Sequence, residues 1–309
     1  MFMKRAVNCG LVKADKMEQA ILLLSFGTPR QPSDLLPYLT SIRRGKIPTE
    51  RELKVLTARY DAIGQWDNKL LQTMGEEQKK TLKSLLAIDA MYLAYLHMPN
   101  SMEQAIESIA TAGYTSILCI VTSPFYSMVG TGAYERKLHS ILRAYPDISC
   151  EIIKSWWNKP QFFEYWRSQL MATNPLQADT ACIFSAHSVP TSTVGSYEDE
   201  VMSASTQIAK MVGLNHWYQA WQSAAPYGEW LGPTIESVIE QALIDGAKRI
   251  VCIPFGFVSD HVEILYDNDI ICRNIVENAG ATYERLPMPN GNTLFMEAMA
   301  KAIRERINK

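Results

Sequence analysis

The chain reads as an α/β protein of two similar halves, each a parallel sheet flanked by helices, and three observations carry that reading. Short apolar runs alternate with segments of helical period along the 309 residues, the pattern of βα units around a parallel sheet. Residues 112–120 resemble residues 245–253, each leaving a helix, turning at Gly113 or Gly246 and entering a strand. Residues 24–29 resemble residues 184–190, each leaving a strand through Ser25 or Ser185 and stopping at Pro29 or Pro190. A duplicated unit joined near 146–150 accounts for all three. It also brings the strand ends of both halves to one cleft, where open α/β folds bind their ligands.

Apolar runs predict strands over 20–25, 91–95, 116–122, 149–153, 180–185, 217–221, 249–253 and 282–285. Helices fill the intervals, among them 101–112, 132–144, 197–212 and 232–245. A last helix over 293–307 has Phe295, Met299 and Ile303 four apart, a stripe that buries against a neighbour.

Composition narrows the function classes. A hydrophobic fraction of 47%, a charged fraction of 20% and a net charge of -2 leave no basic footprint for nucleic acid. No apolar run approaches the roughly 20 residues that a membrane-spanning helix needs. The six cysteines, Cys9, Cys119, Cys150, Cys182, Cys252 and Cys272, are scattered without a CxxC pair, so neither a zinc site nor a disulfide framework is expected. Cys119, Cys182 and Cys252 fall in strands, where a free thiol packs as a small hydrophobe. A reducing cytoplasm is the expected compartment. Residues 1–16 are expected to be a tail, or a stretch preceding a start at Met17.

Two polar segments follow strands in the second half. His187 lies in the loop 184–190, and Glu263 and Asp267 lie in 259–269, after the apolar run 250–258. The expectation is an imidazole and a carboxylate facing each other across the cleft. Glu263 and Asp267 are four apart, which puts both acids on one helical face.

On several separated blocks the sequence resembles the ferrochelatases, the porphyrin-metallating enzymes of haem synthesis. The blocks are Ser185-Ala186-His187-Ser188-Val189-Pro190, Trp221-Gln222-Ser223, Trp230-Leu231-Gly232-Pro233 and the run from Phe255 to Asp269. Gly27-Thr28-Pro29, Ile42-Arg43-Arg44-Gly45 and Arg59-Tyr60-Asp61-Ala62-Ile63-Gly64 extend the likeness to nearly everything after Met17. The resemblance implies two Rossmann-like domains of the type II chelatase kind, each with a parallel four-stranded sheet. Their expected limits are a tail over 1–18, a first domain over 19–147 completed by the C-terminal helix 291–309, and a second domain over 148–290.

The implied reaction inserts Fe²⁺, a substrate, into a porphyrin with loss of two pyrrole protons. His187 matches the family's base, and imidazole suits proton uptake near neutral pH. Glu263 matches the family's central acid, expected on the side of the macrocycle opposite His187, with His187, Glu263 and Asp267 as the expected metal contacts. Arg43, Arg44 and Arg59 are the expected partners of the porphyrin carboxylates, since a guanidinium fork grips a carboxylate bidentately; Lys46 is a substitute for one of them. Phe26, Tyr126, Trp230 and Tyr266 are expected to pack on the ring. His97 and His261 fall near the cleft in supporting roles, and His139 and His216 have no motif around them.

Three departures stand out. Phe26 replaces an aromatic hydroxyl common in the family, Ile271 stands where a third acid often continues the row, and Gln65-Trp66-Asp67-Asn68-Lys69-Leu70 replaces a Gly-Gly-x-Ser-Pro-Leu stretch. Coproporphyrin III is expected as substrate ahead of protoporphyrin IX, because the sequence carries neither the C-terminal iron–sulfur extension nor the hydrophobic tail of some relatives. No tightly bound cofactor and no iron–sulfur cluster are expected. The expected partners are the porphyrin and the haem product, with a monomer or weak dimer as the assembly. The segment 124–130 leaves a weak peripheral membrane contact open. The alternatives are a non-catalytic porphyrin or haem carrier of the same fold, and a chelatase for a cobalt or sirohaem-type tetrapyrrole.

Overall fold

Successive side chains of an extended strand point to opposite faces, and the central strands here are apolar on both. That requires cover above and below each sheet. A computed structural model describes residues 19–66, 70–225 and 227–308. The expected tail and positions 67–69 of the rebuilt loop lie outside the described residues.

Four strands, β1 (Gln19–Ser25), β2 (Met91–Tyr95), β3 (Ser116–Val121) and β4 (Ser149–Ile153), form a first sheet. Its order is β2-β1-β3-β4 and every pairing is parallel. The second sheet is built from β5 (Thr180–His187), β6 (Trp217–Gln222), β7 (Arg249–Ile253) and β8 (Thr282–Arg285). It repeats the same order as β6-β5-β7-β8, again wholly parallel. The repeat read from the Gly turns is therefore a repeat of topology. The boundary expected after residue 147 had put 149–153 in the second half, yet β4 hydrogen-bonds to β3 and closes the first sheet.

The helices are α1 (Leu35–Ile42), α2 (Glu50–Ala62), α3 (Leu70–Leu86), α4 (Ser101–Thr111), α5 (Thr131–Leu142), α6 (Pro160–Ala172), α7 (Tyr197–Val212), α8 (Ile235–Ile244), α9 (Arg273–Asn278) and α10 (Thr293–Ile307). A π-helix over Glu263–Cys272 runs directly into α9. Caps explain several ends. Thr49 and Glu52 form a reciprocal capping box at α2, and Asn292 accepts from the Phe295 amide to start α10. The helix expected from 232 begins three residues later, where Thr234 caps α8.

Side-chain alternation sorts the core into three parts. Ala20, Leu22 and Leu24 of β1 pack under α4 and α5, and Ala181, Ile183, Ile250 and Cys252 pack under α8 and α9. The opposite faces, with Ile21, Leu23, Cys182, Phe184, Val251 and Ile253, meet in one shared core roofed by α3, α6, α7 and α10. The C-terminal helix α10 lies between α3 and α6 and buries Phe295, Met299 and Ile303 completely.

Candidate active site

Two neighbouring strand ends and the helix after β7 build the site. His187 is the last residue of β5, paired with Gln222 of β6, so a strand rather than a loop carries it. Its backbone is pinned further by the buried Tyr197, whose hydroxyl donates to the His187 carbonyl at 3.0 Å. The Nδ1–H donates to the Ser188 carbonyl at 2.5 Å, an acceptor-only partner that leaves Nε2 facing the cleft. Gly256 explains how the loop after β7 comes so close: its amide donates to the Ser185 carbonyl, and a Cβ there would lie 2.5 Å from that of Ala186. Only glycine permits that approach. Phe257 then rests beside the His187 ring, with centroids 6.3 Å apart.

Glu263 opens the π-helix, and its Oε1 lies 3.5 Å from Nε2 of His187. Burial would push the imidazole down, but the charge and hydrogen bond of Glu263 outweigh it and raise His187 to about 9. Burial likewise pushes against the carboxylate, and His187 reverses this and lowers Glu263 to about 2. The pair is an imidazolium and a carboxylate at neutral pH. This corrects the expectation of groups on opposite sides of a macrocycle. A flat ring needs about 7 Å, one van der Waals contact of 3.5 Å on each face, and 3.5 Å leaves no such gap. Both groups lie on one side of the cleft.

Asp267, buried at 7% exposure, accepts from the Ser223 hydroxyl at 2.8 Å, and Ser223 itself sits in the left-handed region at φ 61°. Burial pushes Asp267 up to about 6 against the pull of Arg59 and Ser223. Among the described residues no three His, Cys, Asp or Glu side chains converge as a metal-ligand set. Of the expected trio, His187 and Glu263 lie together and Asp267 is held by Ser223 and Arg59.

The remaining candidates divide by position. Arg59 reaches from α2 to the π-helix, 3.4 Å from Asp267 and 5.0 Å from the Tyr266 ring centre. Arg43 is committed to Glu52 on its own half, and Arg44 is an exposed turn residue at φ 56°. Trp230 bridges Pro190, next to the His187 strand end, and its indole donates to the Tyr227 carbonyl. Tyr126 lies under Lys154 in the first half. Phe26, 46% exposed, presents an apolar ring backed by His97 at 4.5 Å and by Tyr38. His97 accepts or donates at Ser41 and is pushed down to about 4 by burial. His261 takes the Glu263 amide hydrogen at Nδ1 and is likewise pushed down by burial.

Tyr38 and Tyr197 join the site without a sequence signal, and Tyr60, which lies in a block of the family likeness, joins it with no role assigned from the sequence. Burial raises all three hydroxyls, Tyr60 to about 12, and the charge of Glu263 adds to each. Two of them come from α1 and α2, so the first half faces the carboxylate. Tyr38 and His97 also line a cavity of about 450 Å³ with Arg30, Gln31 and Met98, which does not include His187 or Glu263.

The ferrochelatase family model matches residues 18–307. The chain belongs to the ferrochelatase family. Among relatives, coproporphyrin III ferrochelatase of Geobacillus kaustophilus is 32% identical over 307 residues, covering 94% of this chain and 96% of the relative. Coproporphyrin III ferrochelatase of Staphylococcus aureus is 30% identical, covering 93% and 98%. Among solved structures, SirB from Bacillus subtilis covers 94% of this chain and 95% of its own at a TM-score of 0.61 and 12% identity, a likeness of fold. In this ferrochelatase-family chain the pair at β5 and the π-helix stands on the blocks that carry the family likeness.

Proposed function

We propose that the chain inserts Fe²⁺ into coproporphyrin III, releasing two protons from the pyrrole nitrogens. The observation that carries this reading is the His187–Glu263 pair at 3.5 Å, a proton acceptor and a cation-attracting carboxylate on one side of the cleft. The ring lies between that pair and the apolar Phe26 face of the first half. Tyr126, Trp230 and Tyr266 edge it, and Arg43, Arg44 and Arg59 are the cationic candidates for its carboxylates. The names of the relatives support coproporphyrin III over protoporphyrin IX.

The chemistry follows from charge. The carboxylate of Glu263 holds the proton on His187. An approaching Fe²⁺ competes for the same carboxylate, and the imidazole, losing its counter-charge, gives its Nε2 proton to solvent and then takes the pyrrole protons one at a time, passing each to solvent. The Ser188 carbonyl keeps Nδ1 protonated throughout, so Nε2 is the accepting atom. No helix among the described residues is long and apolar enough to cross a membrane; we place the reaction in the cytoplasm.

Mixing the purified protein anaerobically with Fe²⁺ or Zn²⁺ and each porphyrin, and following the visible spectrum, tests the reading. The expected result is faster metallation of coproporphyrin III than of protoporphyrin IX. His187→Ala should retain porphyrin binding and lose turnover by about 10²–10⁴-fold. Binding without metallation by the parent protein would identify a carrier instead.

A further inference from the structure

Arg59 is drawn two ways. Its guanidinium comes from α2 of the first half, while Asp267 and Tyr266 belong to the π-helix of the second, so the contact spans the cleft. The spacing of 3.4 Å and the 36% exposure of the Arg59 side chain describe a loose ion pair, longer than a good charge-assisted hydrogen bond. Asp267 is buried, and its second oxygen is already taken by Ser223. The acid row Glu263, Asp267 ends at Ile271, which offers no further oxygen.

A divalent cation and a guanidinium on one buried carboxylate repel each other at contact distance, so each weakens the other's hold. While Arg59 stays on Asp267, a cation moving along the π-helix toward Glu263 meets a positive charge beside that helix. A ring carboxylate entering the cleft offers the guanidinium a bidentate partner, better than one oxygen at 3.4 Å. We propose that Arg59 is a latch: it sits on Asp267 as the structure shows, moves to a porphyrin carboxylate when the substrate binds, and thereby opens Asp267 to the metal. Porphyrin therefore binds before the cation, and by linkage each tightens the other. The proposal rests on the reading of this site as a porphyrin metallation centre.

Arg59→Met keeps the apolar stem over Tyr266 and removes the charge, whereas Arg59→Lys keeps the charge. Titrating Co²⁺ into the porphyrin-free proteins by calorimetry should give binding about tenfold tighter for Arg59→Met than for the parent. Arg59→Lys should match the parent, and adding Asp267→Asn to Arg59→Met should abolish the gain. Circular dichroism establishes that each variant is folded. In initial-rate assays with Zn²⁺ and coproporphyrin III, Arg59→Met should lower KM for the metal, raise KM for the porphyrin and convert porphyrin-first binding to random order. A Co²⁺ affinity unchanged by Arg59→Met, or a gain that survives Asp267→Asn, overturns the latch. A parent protein that never metallates coproporphyrin III removes the proposed activity, and the cobalt titration still decides the latch.

Discussion

An imidazole beside a carboxylate at 3.5 Å is not a free base. The raised pKa of His187, about 9, means that its contribution to stability is full below about 6.5 and is lost as pH rises through 9. Glu263, lowered to about 2, contributes fully above about 4.5, and that contribution is lost as pH falls through 2. The pair is thus intact in the ligand-free protein from mildly acidic to neutral conditions. Glu263→Gln removes the main influence that lifts the imidazole and leaves burial opposed only by the Ser188 carbonyl and the charge of Asp267, so the His187 titration followed by NMR should drop well below about 9. Identical titrations in parent and variant would refute the pairing. Gly256→Ala tests the approach of the loop: its Cβ would lie 2.5 Å from that of Ala186, and relief of such overpacking costs about 1–3 kcal/mol. Urea denaturation should show that loss, with turnover falling as Phe257 is pushed from His187. Both residues of the pair were legible in the sequence because each lies inside a distinctive block. Their separation was not, because it depends on Gly256 closing onto β5, a contact that residue types alone do not encode.

At the scale of elements, the acid spacing was readable and the helix that carries it was not. Residues four apart share a face in an α-helix, and closing the turns through i→i+5 bonds keeps them together in a π-helix, so Glu263 and Asp267 give the same pattern either way. What distinguishes the π-helix is buried polar packing. The Gln222 side-chain oxygen accepts from Ser185 at 2.9 Å and from Asn268 at 3.1 Å, and Arg285 grips Asp269 through two bonds of 2.7 and 2.8 Å. These side chains come from β5, β6, β8 and the π-helix itself, so they fix its register against the sheet that carries His187. Gln222→Leu leaves the Ser185 hydroxyl and the Asn268 amide buried without that acceptor. The expected loss is about 2–4 kcal/mol in urea denaturation, together with a higher KM for the metal as Glu263 loses its position. Wild-type stability in this variant would show that the network is not what sets the register. The strands were legible nearly throughout, since apolar runs report burial directly. The end of β5 was missed by two residues because Ala186 and His187 are held by pairing with Trp221 and Gln222, and pairing is not visible in a run's own hydrophobicity.

The duplication invites a picture of two independent units, and the packing argues against it. Phe255 lies edge-on to Phe125 of the first half and Phe184 of the second, each at 5.5 Å. Phe295 of α10 meets Trp156 at 5.5 Å and Tyr165 at 5.2 Å, while Arg304 of the same helix donates to the Leu85 carbonyl of α3. Since the shared core holds one face of β1 and one face of β5, loosening it should expose both sheets at once. Phe295→Ala opens a cavity in that core and should cost about 3–5 kcal/mol. Native-state hydrogen exchange reads the consequence strand by strand: amides of β1 and β5 should lose protection by the same factor, with a single transition in denaturant. If the loss were confined to the second sheet, the halves would be separate cooperative units, and the cleft between them would be free to open by moving one against the other. Joint loss instead makes the cleft a groove in one body, whose width is set by packing and whose entry is controlled by side chains at the mouth, Arg59 among them.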